Sequence, residues 1–253
     1  MVHHTFSSPP PSALLLEGAP NFRDLGGYTN KHGQSLKTGL IFRSDHLGKL
    51  TASDFQKLQT HNQQPWLILD FRGIEERKTH VCALPEAKIL SLSIEPTVVQ
   101  ILSDLLESGV NVSAEKTVEL MQDTYRNFIL EHADRFKAFF EALLTHPQHN
   151  VVFHCTAGKD RTGVAATLLL HALEVPMQTI WYDYLLTNER LKHLPIFESA
   201  PEVAKVLTTV QPAFLQAALD AISQHHSDLD TFLDKVLGLN ESKRQQLANR
   251  VIA

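Results

Sequence analysis

Residues 150–175, NVVFHCTAGKDRTGVAATLLLHALEV, constrain the fold more than any other stretch of this chain. Asn150 to Cys155 is a short apolar run with β-branched and aromatic content, which predicts a central strand. Residues 162–175 are apolar on nearly every side, which predicts a helix with no solvent face. Between them lies a polar loop that contains Gly158. The order strand, loop, buried helix sets the chain in the α/β class and puts His154 and Cys155 at the end of a strand that points at a helix N-terminus.

The flanking segments fit that class. "GLIFRS" (39–44) and "PWLILDFR" (65–72) read as strands, the second delivering Asp70 and Arg72 to its C-terminal end. Thr51 followed by Asp54 marks a helix start for "ASDFQKLQTH". Val118, Met121, Tyr125, Phe128 and Ile129 recur at helical spacing, as do Phe136, Phe139, Phe140, Leu143 and Leu144. The remainder is helical in pattern, with Pro176 suited to a first turn, Pro195, Pro201 and Pro212 as breaks, and "LGLNESKRQQLANRVI" near the end. "SSPPPS" reads as extended, so residues 1–13 are expected to be a mobile tail and residues 14–253 a single domain, a size one core can serve. The segment from about Thr97 to His132 is expected either to complete the core or to form a lid.

Composition narrows the function. The net charge of -5 gives no general attraction to nucleic acid or anionic membrane, so an anion must be bound by a local concentration of positive groups. Cys82 and Cys155 are the two cysteines, too few for a disulfide framework, and the 14 histidines form no H-x-x-x-H pair tied to an acid, so no metal site is expected. With neither a signal-like segment nor an apolar span long enough for a membrane, a soluble, cytoplasmic protein is expected, export without a signal peptide remaining open and the oligomeric state undetermined.

The loop carries the chemistry. A thiol that faces backbone N–H groups at the positive end of a helix, with Arg161 close by, is expected to ionise well below the free value of about 8.5. The five residues between Cys155 and Arg161 allow a loop whose amides, from Thr156, Ala157, Gly158 and Lys159, converge on a tetrahedral oxyanion while the guanidinium grips two of its oxygens. Thr162 can offer its hydroxyl to the sulfur, and His154 can fix the loop through backbone hydrogen bonds.

His154 to Thr162 matches H-C-x5-R-T/S, and "HCTAGKDRTG" resembles the loop of atypical bacterial tyrosine phosphatases that also act on phosphoinositides. "APNFRDLGGY" (19–28), "GLIFRSDHLGKLT" (39–51), "LDFRGIEER" (69–77) and "DYLLTN" (183–188) are similar to that family's accessory motifs. The resemblance implies the cysteine-phosphatase fold, a central, mostly parallel sheet flanked by helices. It also implies a two-step reaction through phosphocysteine without metal or other cofactor, and a phosphotyrosyl protein or phosphoinositide as substrate.

Two aspartates compete as the general acid: Asp160 inside the loop, beside Arg161, and Asp70 on a neighbouring strand, whose alternative role is a buried partner for Arg72. Lys159 either meets a second phosphate, or points to solvent or pairs with Asp160. Arg23, Asp24 and Arg43 are expected to brace the loop through buried ion pairs, and Cys82 is either a redox partner of Cys155 or a small core residue. The sequence does not suit the rivals. An ATP loop would need glycine at Phe153 and no Asp160 after Lys159, while a sulfurtransferase or cysteine protease leaves Arg161 unexplained. A phosphate-binding module that has lost its chemistry is the alternative of a different class, against which Cys155 and Arg161 both stand.

Overall fold

The computed structural model describes residues 14–61, 64–95, 98, 112–192 and 201–253. The tail, Pro195, and residue 97 and residues 99–111 of the segment considered as a lid lie outside the described residues. Five strands form one sheet in the order β1-β2-β5-β3-β4. They are β1 (Arg23–Asp24), β2 (Ile41–Ser44), β3 (Trp66–Asp70), β4 (Lys88–Ser91) and β5 (Asn150–His154). β1 runs antiparallel to β2, and the other pairings are parallel.

β5 is central, and register aligns Ser44, His154 and Asp70, the last residues of three adjacent strands. The chain segments that leave these strands therefore emerge side by side. All five residues of β3 and of β5 are buried, as expected of parallel strands covered on both faces. Their side chains alternate between two cores. Leu67, Leu69, Val151 and Phe153 join the larger core, whereas Ile68 and Val152 join Phe22, Phe42 and Trp66 in the smaller one.

α1 (Ala52–His61) covers the smaller core through Leu58. Its start is a reciprocal cap in which Asp54 N–H donates to Thr51 Oγ1 (3.2 Å) and Thr51 N–H to Asp54 Oδ2 (3.0 Å). α2 (Ile74–Thr79) follows β3. The larger core is covered by α3 (Ala114–Leu130), α4 (Ala133–Thr145), α5 (Arg161–Ala172) and α6 (Met177–Leu191), then by α7 (Glu202–Thr208) and α8 (Pro212–His226). Pro201 precedes α7 and Pro212 opens α8, so both prolines start helices. α5 is buried along its length except at His171.

The described part of the segment considered as a lid is core. α3 buries Met121, Tyr125, Phe128 and Ile129 and packs chiefly on α8. Phe139 of α4 is fully buried against Phe71, Phe140 and Phe153. Phe139→Ala should therefore lower the unfolding free energy by about 3–5 kcal/mol, measured by denaturant titration.

Candidate active site

The loop from His154 to Arg161 joins β5 to α5. Cys155 is a free thiol, 2% exposed. Gly158 is required twice over: its φ is +67°, and a Cβ there would lie 2.2 Å from the Ser44 carbonyl oxygen. Donors outside the loop hold three successive carbonyls. Thr156 O accepts from His46 N–H (3.0 Å), Ala157 O from Asn21 Nδ2 (2.9 Å), and Gly158 O from Asn21 Nδ2 (3.0 Å) and Arg43 Nη2 (2.9 Å). In a trans peptide the N–H points opposite to the C=O, and the described chain contains no cis bond. The N–H groups of Ala157, Gly158 and Lys159 are thus turned away from these donors, an arrangement that, beside the N-terminus of α5, is suited to an anion.

The brace behind the loop is ionic and buried. Asp183 of α6 takes Arg23 Nε on one oxygen (2.9 Å) and Arg43 Nη1 on the other (2.5 Å), and Tyr28 adds a hydroxyl donor at 3.1 Å. Burial alone would raise the Asp183 carboxyl, but the two guanidinium groups outweigh it and hold it near about 2. Arg23 Nη1 in turn fixes Asn21 through its side-chain oxygen (2.6 Å). Arg23 and Arg43 thereby serve as braces, whereas Asp24 closes the turns that follow it by accepting from Gly26 and Gly39 N–H (2.8 and 2.6 Å).

Arg161 is presented by a third set of contacts. Its Nη1 and Nη2 fork onto Glu76 (2.7 and 2.8 Å), and Nη1 also donates to the carbonyls of Ile94 (2.8 Å) and Phe71 (3.3 Å). Glu76 further accepts from Gly73 N–H (2.7 Å) and the Thr156 hydroxyl. Burial opposes ionisation of Glu76, yet Arg161, Thr156 and Gly73 outweigh it and bring the carboxyl to about 2. Burial likewise pulls Arg161 down, but Glu76 and the nearby Cys155 raise it above its ordinary value. Such a site can hold a tetrahedral oxyanion against a thiol, with a guanidinium preset beside it.

Residues 14–253 match the tyrosine phosphatase family. The chain belongs to that family. It is 29% identical to a Cupriavidus necator protein whose name places it among the tyrosine-protein phosphatases, over 88% of this chain and 84% of the relative. It is 24% identical to the triple specificity protein phosphatase PtpB of Mycobacterium tuberculosis, over 86% of this chain and 91% of that protein. A Nostoc commune tyrosine-protein phosphatase is 36% identical over a shorter stretch, 29% of this chain and 25% of its own.

In this member of the family the two candidate acids are placed very differently. Asp70 does not reach over the cleft: it is 1% exposed, and Arg72 closes on both its oxygens through Nε and Nη2 (2.7–3.1 Å). Burial opposes its ionisation, but the Arg72 bonds and nearby His154 win and hold its carboxyl below the usual range. Asp160 stays at the loop, partly exposed, its oxygens accepting from Lys159 Nζ (2.8 and 2.7 Å) and Tyr125 Oη (2.8 Å). Lys159 is therefore paired with Asp160, and its Nζ also lies 3.5 Å from Thr209 O.

The flanking residues are placed as follows. His154 Nδ1 donates to Cys155 O (3.0 Å), and burial holds the imidazole below its ordinary pKa. The Thr162 hydroxyl is buried and finds no hydrogen-bond partner among the described residues, so the bond to sulfur expected from the sequence is not made. Cys82 packs with Leu84 and Ala87 against the smaller core, whereas Cys155 belongs to the larger one.

Sequence reasoning gave no role to Asn21, Glu76 or Asp183, although each stands in a family-like stretch. The spacing Gly73-x-x-Glu76 at a helix start was the available signal for Glu76. Because Glu76 falls from an ordinary 4.5 to about 2 in the folded chain, its stabilisation is complete above pH 4.5 and is lost as pH falls toward 2. Glu76→Gln should remove that part of the acid limb, so that thermal melts between pH 5 and about pH 2.5 fall less steeply than in the wild type.

Proposed function

We propose that this protein is a cysteine-dependent phosphomonoesterase that hydrolyses phosphotyrosine through a phosphocysteine intermediate. The observation that carries this reading is the outward fixing of the Thr156, Ala157 and Gly158 carbonyls, which turns three amides toward the side available to an anion, beside Arg161. Cys155 attacks phosphorus, the loop amides and Arg161 stabilise the equatorial oxygens, and water then releases phosphate. Asp160 is the general acid, since it alone of the two candidates keeps partial exposure at the loop and is not closed by an arginine fork. No cofactor enters this scheme, residues 14–253 act as one domain, and a reducing cytoplasm suits the free thiol.

A binding module with this loop would have no use for a thiol and an arginine poised together. Cys155→Ser should reduce turnover of p-nitrophenyl phosphate by roughly three orders of magnitude or more, with the unfolding midpoint kept. Near-normal turnover in that variant would overturn the mechanism. Chelators should leave wild-type turnover intact.

Phosphoinositides are the second substrate class we propose, and the proposal rests on Lys159. Its ammonium holds Asp160, so an inositol phosphate has to compete for it, which a phosphotyrosine without a second phosphate does not. Lys159→Ala should shift the ratio of kcat/KM values for a soluble phosphoinositide and a phosphotyrosyl peptide against the phosphoinositide, by roughly five- to ten-fold. Because an inositol oxygen needs the proton of Asp160 more than a phenol does, the shift should appear in KM, where the second phosphate binds, and not in kcat alone. An unchanged ratio removes the phosphoinositide reading.

A further inference from the structure

Asp160 receives a donor from outside the loop that the mechanism above does not use. Tyr125 of α3 donates its hydroxyl to Asp160 Oδ1 (2.8 Å), and Tyr184 of α6 lies 2.8 Å from the same tyrosine oxygen. Tyr184 also approaches Gln211 O (3.4 Å). The phenol groups are 0% and 1% exposed, so water does not compete for these bonds. A tyrosine has one proton to give. An ionised Asp160 can only accept, so Tyr125 spends its proton there and takes the Tyr184 hydroxyl proton on its own oxygen. Burial, then the charge of Asp160, raise both phenols above their ordinary pKa, so both remain donors.

We propose that Tyr125, backed by Tyr184, is the positioning residue of the general acid: it occupies Oδ1 and so assigns the transferable proton to Oδ2. The inference rests on Asp160 being the acid. In the first step the Cys155 sulfur bonds to phosphorus as the bond to the ester oxygen breaks, and the Oδ2 proton passes to that oxygen. The carboxylate left behind is held by the Tyr125 hydroxyl and Lys159. In the second step a water oxygen bonds to phosphorus as the S–P bond breaks, and the water proton returns to Oδ2. Removing the Tyr125 hydroxyl makes the carboxylate less stable and the acid a poorer donor. The loss therefore falls on substrates whose leaving oxygen most needs a proton.

The geometry also explains why tyrosines do this work. Lys159 alone bridges both oxygens and cannot distinguish them. Tyr125 approaches one of them, from a helix that is packed into the core.

The test is a double-mutant cycle on phenyl phosphate, a poor leaving group, and p-nitrophenyl phosphate, a good one. Asp160→Asn should lose about a hundred-fold or more in kcat on the phenyl ester and little on the nitrophenyl ester. Tyr125→Phe should lose roughly ten-fold on the phenyl ester alone. The double variant should be no slower on it than Asp160→Asn, because Tyr125 then has no acid to place. If Tyr125→Phe slows both esters equally, or multiplies its full factor onto Asp160→Asn, its role is structural and the proposal fails. An Asp160→Asn variant that loses equally on both esters would overturn the acid assignment itself, and the relay with it. Should Tyr125→Phe not fold, Tyr184→Phe reads the same relay one bond back: a loss confined to the phenyl ester supports it, and an equal loss on both overturns it.

Discussion

The carboxylate of Asp183 between Arg23 and Arg43 is the interaction on which the site depends. Two arginines from adjacent strands would repel at the edge of the sheet, and each is fully buried. One carboxylate from α6 compensates both and so joins β1, β2 and a helix that lies far away in sequence. Such a triad adds little net stability over an apolar packing of the same shape, since dehydrating the charges costs about as much as their attraction returns. What it supplies is direction. Arg43 carries a spare N–H to Gly158 O, and Arg23 aims Asn21 at Ala157 O and Gly158 O, so the loop conformation is set from behind by groups that cannot swing away.

Carboxylates around the loop have separate tasks because their surroundings differ. Asp70, Glu76 and Asp183 are each closed by arginine and held in the ionised form. Asp160 instead accepts from an ammonium and a phenol. Asp45 is the contrary case: it sits beside the loop and accepts from Asn21 N–H (3.1 Å) and the Ser44 hydroxyl (3.3 Å), neither of them a cation, and burial pushes it up to about 7. Near neutrality it therefore adds less negative charge behind an anion site than an ordinary aspartate would.

Helices on the larger core reach the loop. α3 carries Tyr125, α6 carries Asp183 and Tyr184, and the turn between α7 and α8 supplies the carbonyls of Thr209 and Gln211. Packing that completes the core thus also fixes the loop's acidic end. Movement of α3 itself would take Tyr125, Phe128 and Ile129 out of the core, at the cost of exposing them.

The α/β class, the three strands around the loop, the start of α1 at Thr51 and the helical spans of α3, α4 and α5 were legible in the chain because local pattern determines them: apolar periodicity, a capping residue, a glycine between strand and helix. The Cys155 to Arg161 spacing was legible for the same reason, since seven consecutive residues carry it. β1 and β4 were not. Arg23–Asp24 consists of two charged residues with no strand preference, and Lys88–Ser91 is an edge strand with mostly exposed side chains, so pairing with a neighbour is what makes either a strand. The partners of Asp70, Asp160 and Arg161 were likewise decided only by tertiary structure. Sequence placed Asp70 and Asp160 within reach of arginines but could not choose between them, because Arg72 lies two residues from one, whereas Tyr125 approaches the other across 35 positions and Glu76 meets Arg161 across 85. Contacts at that separation exist only once the sheet has aligned its strand ends and the helices have packed behind them.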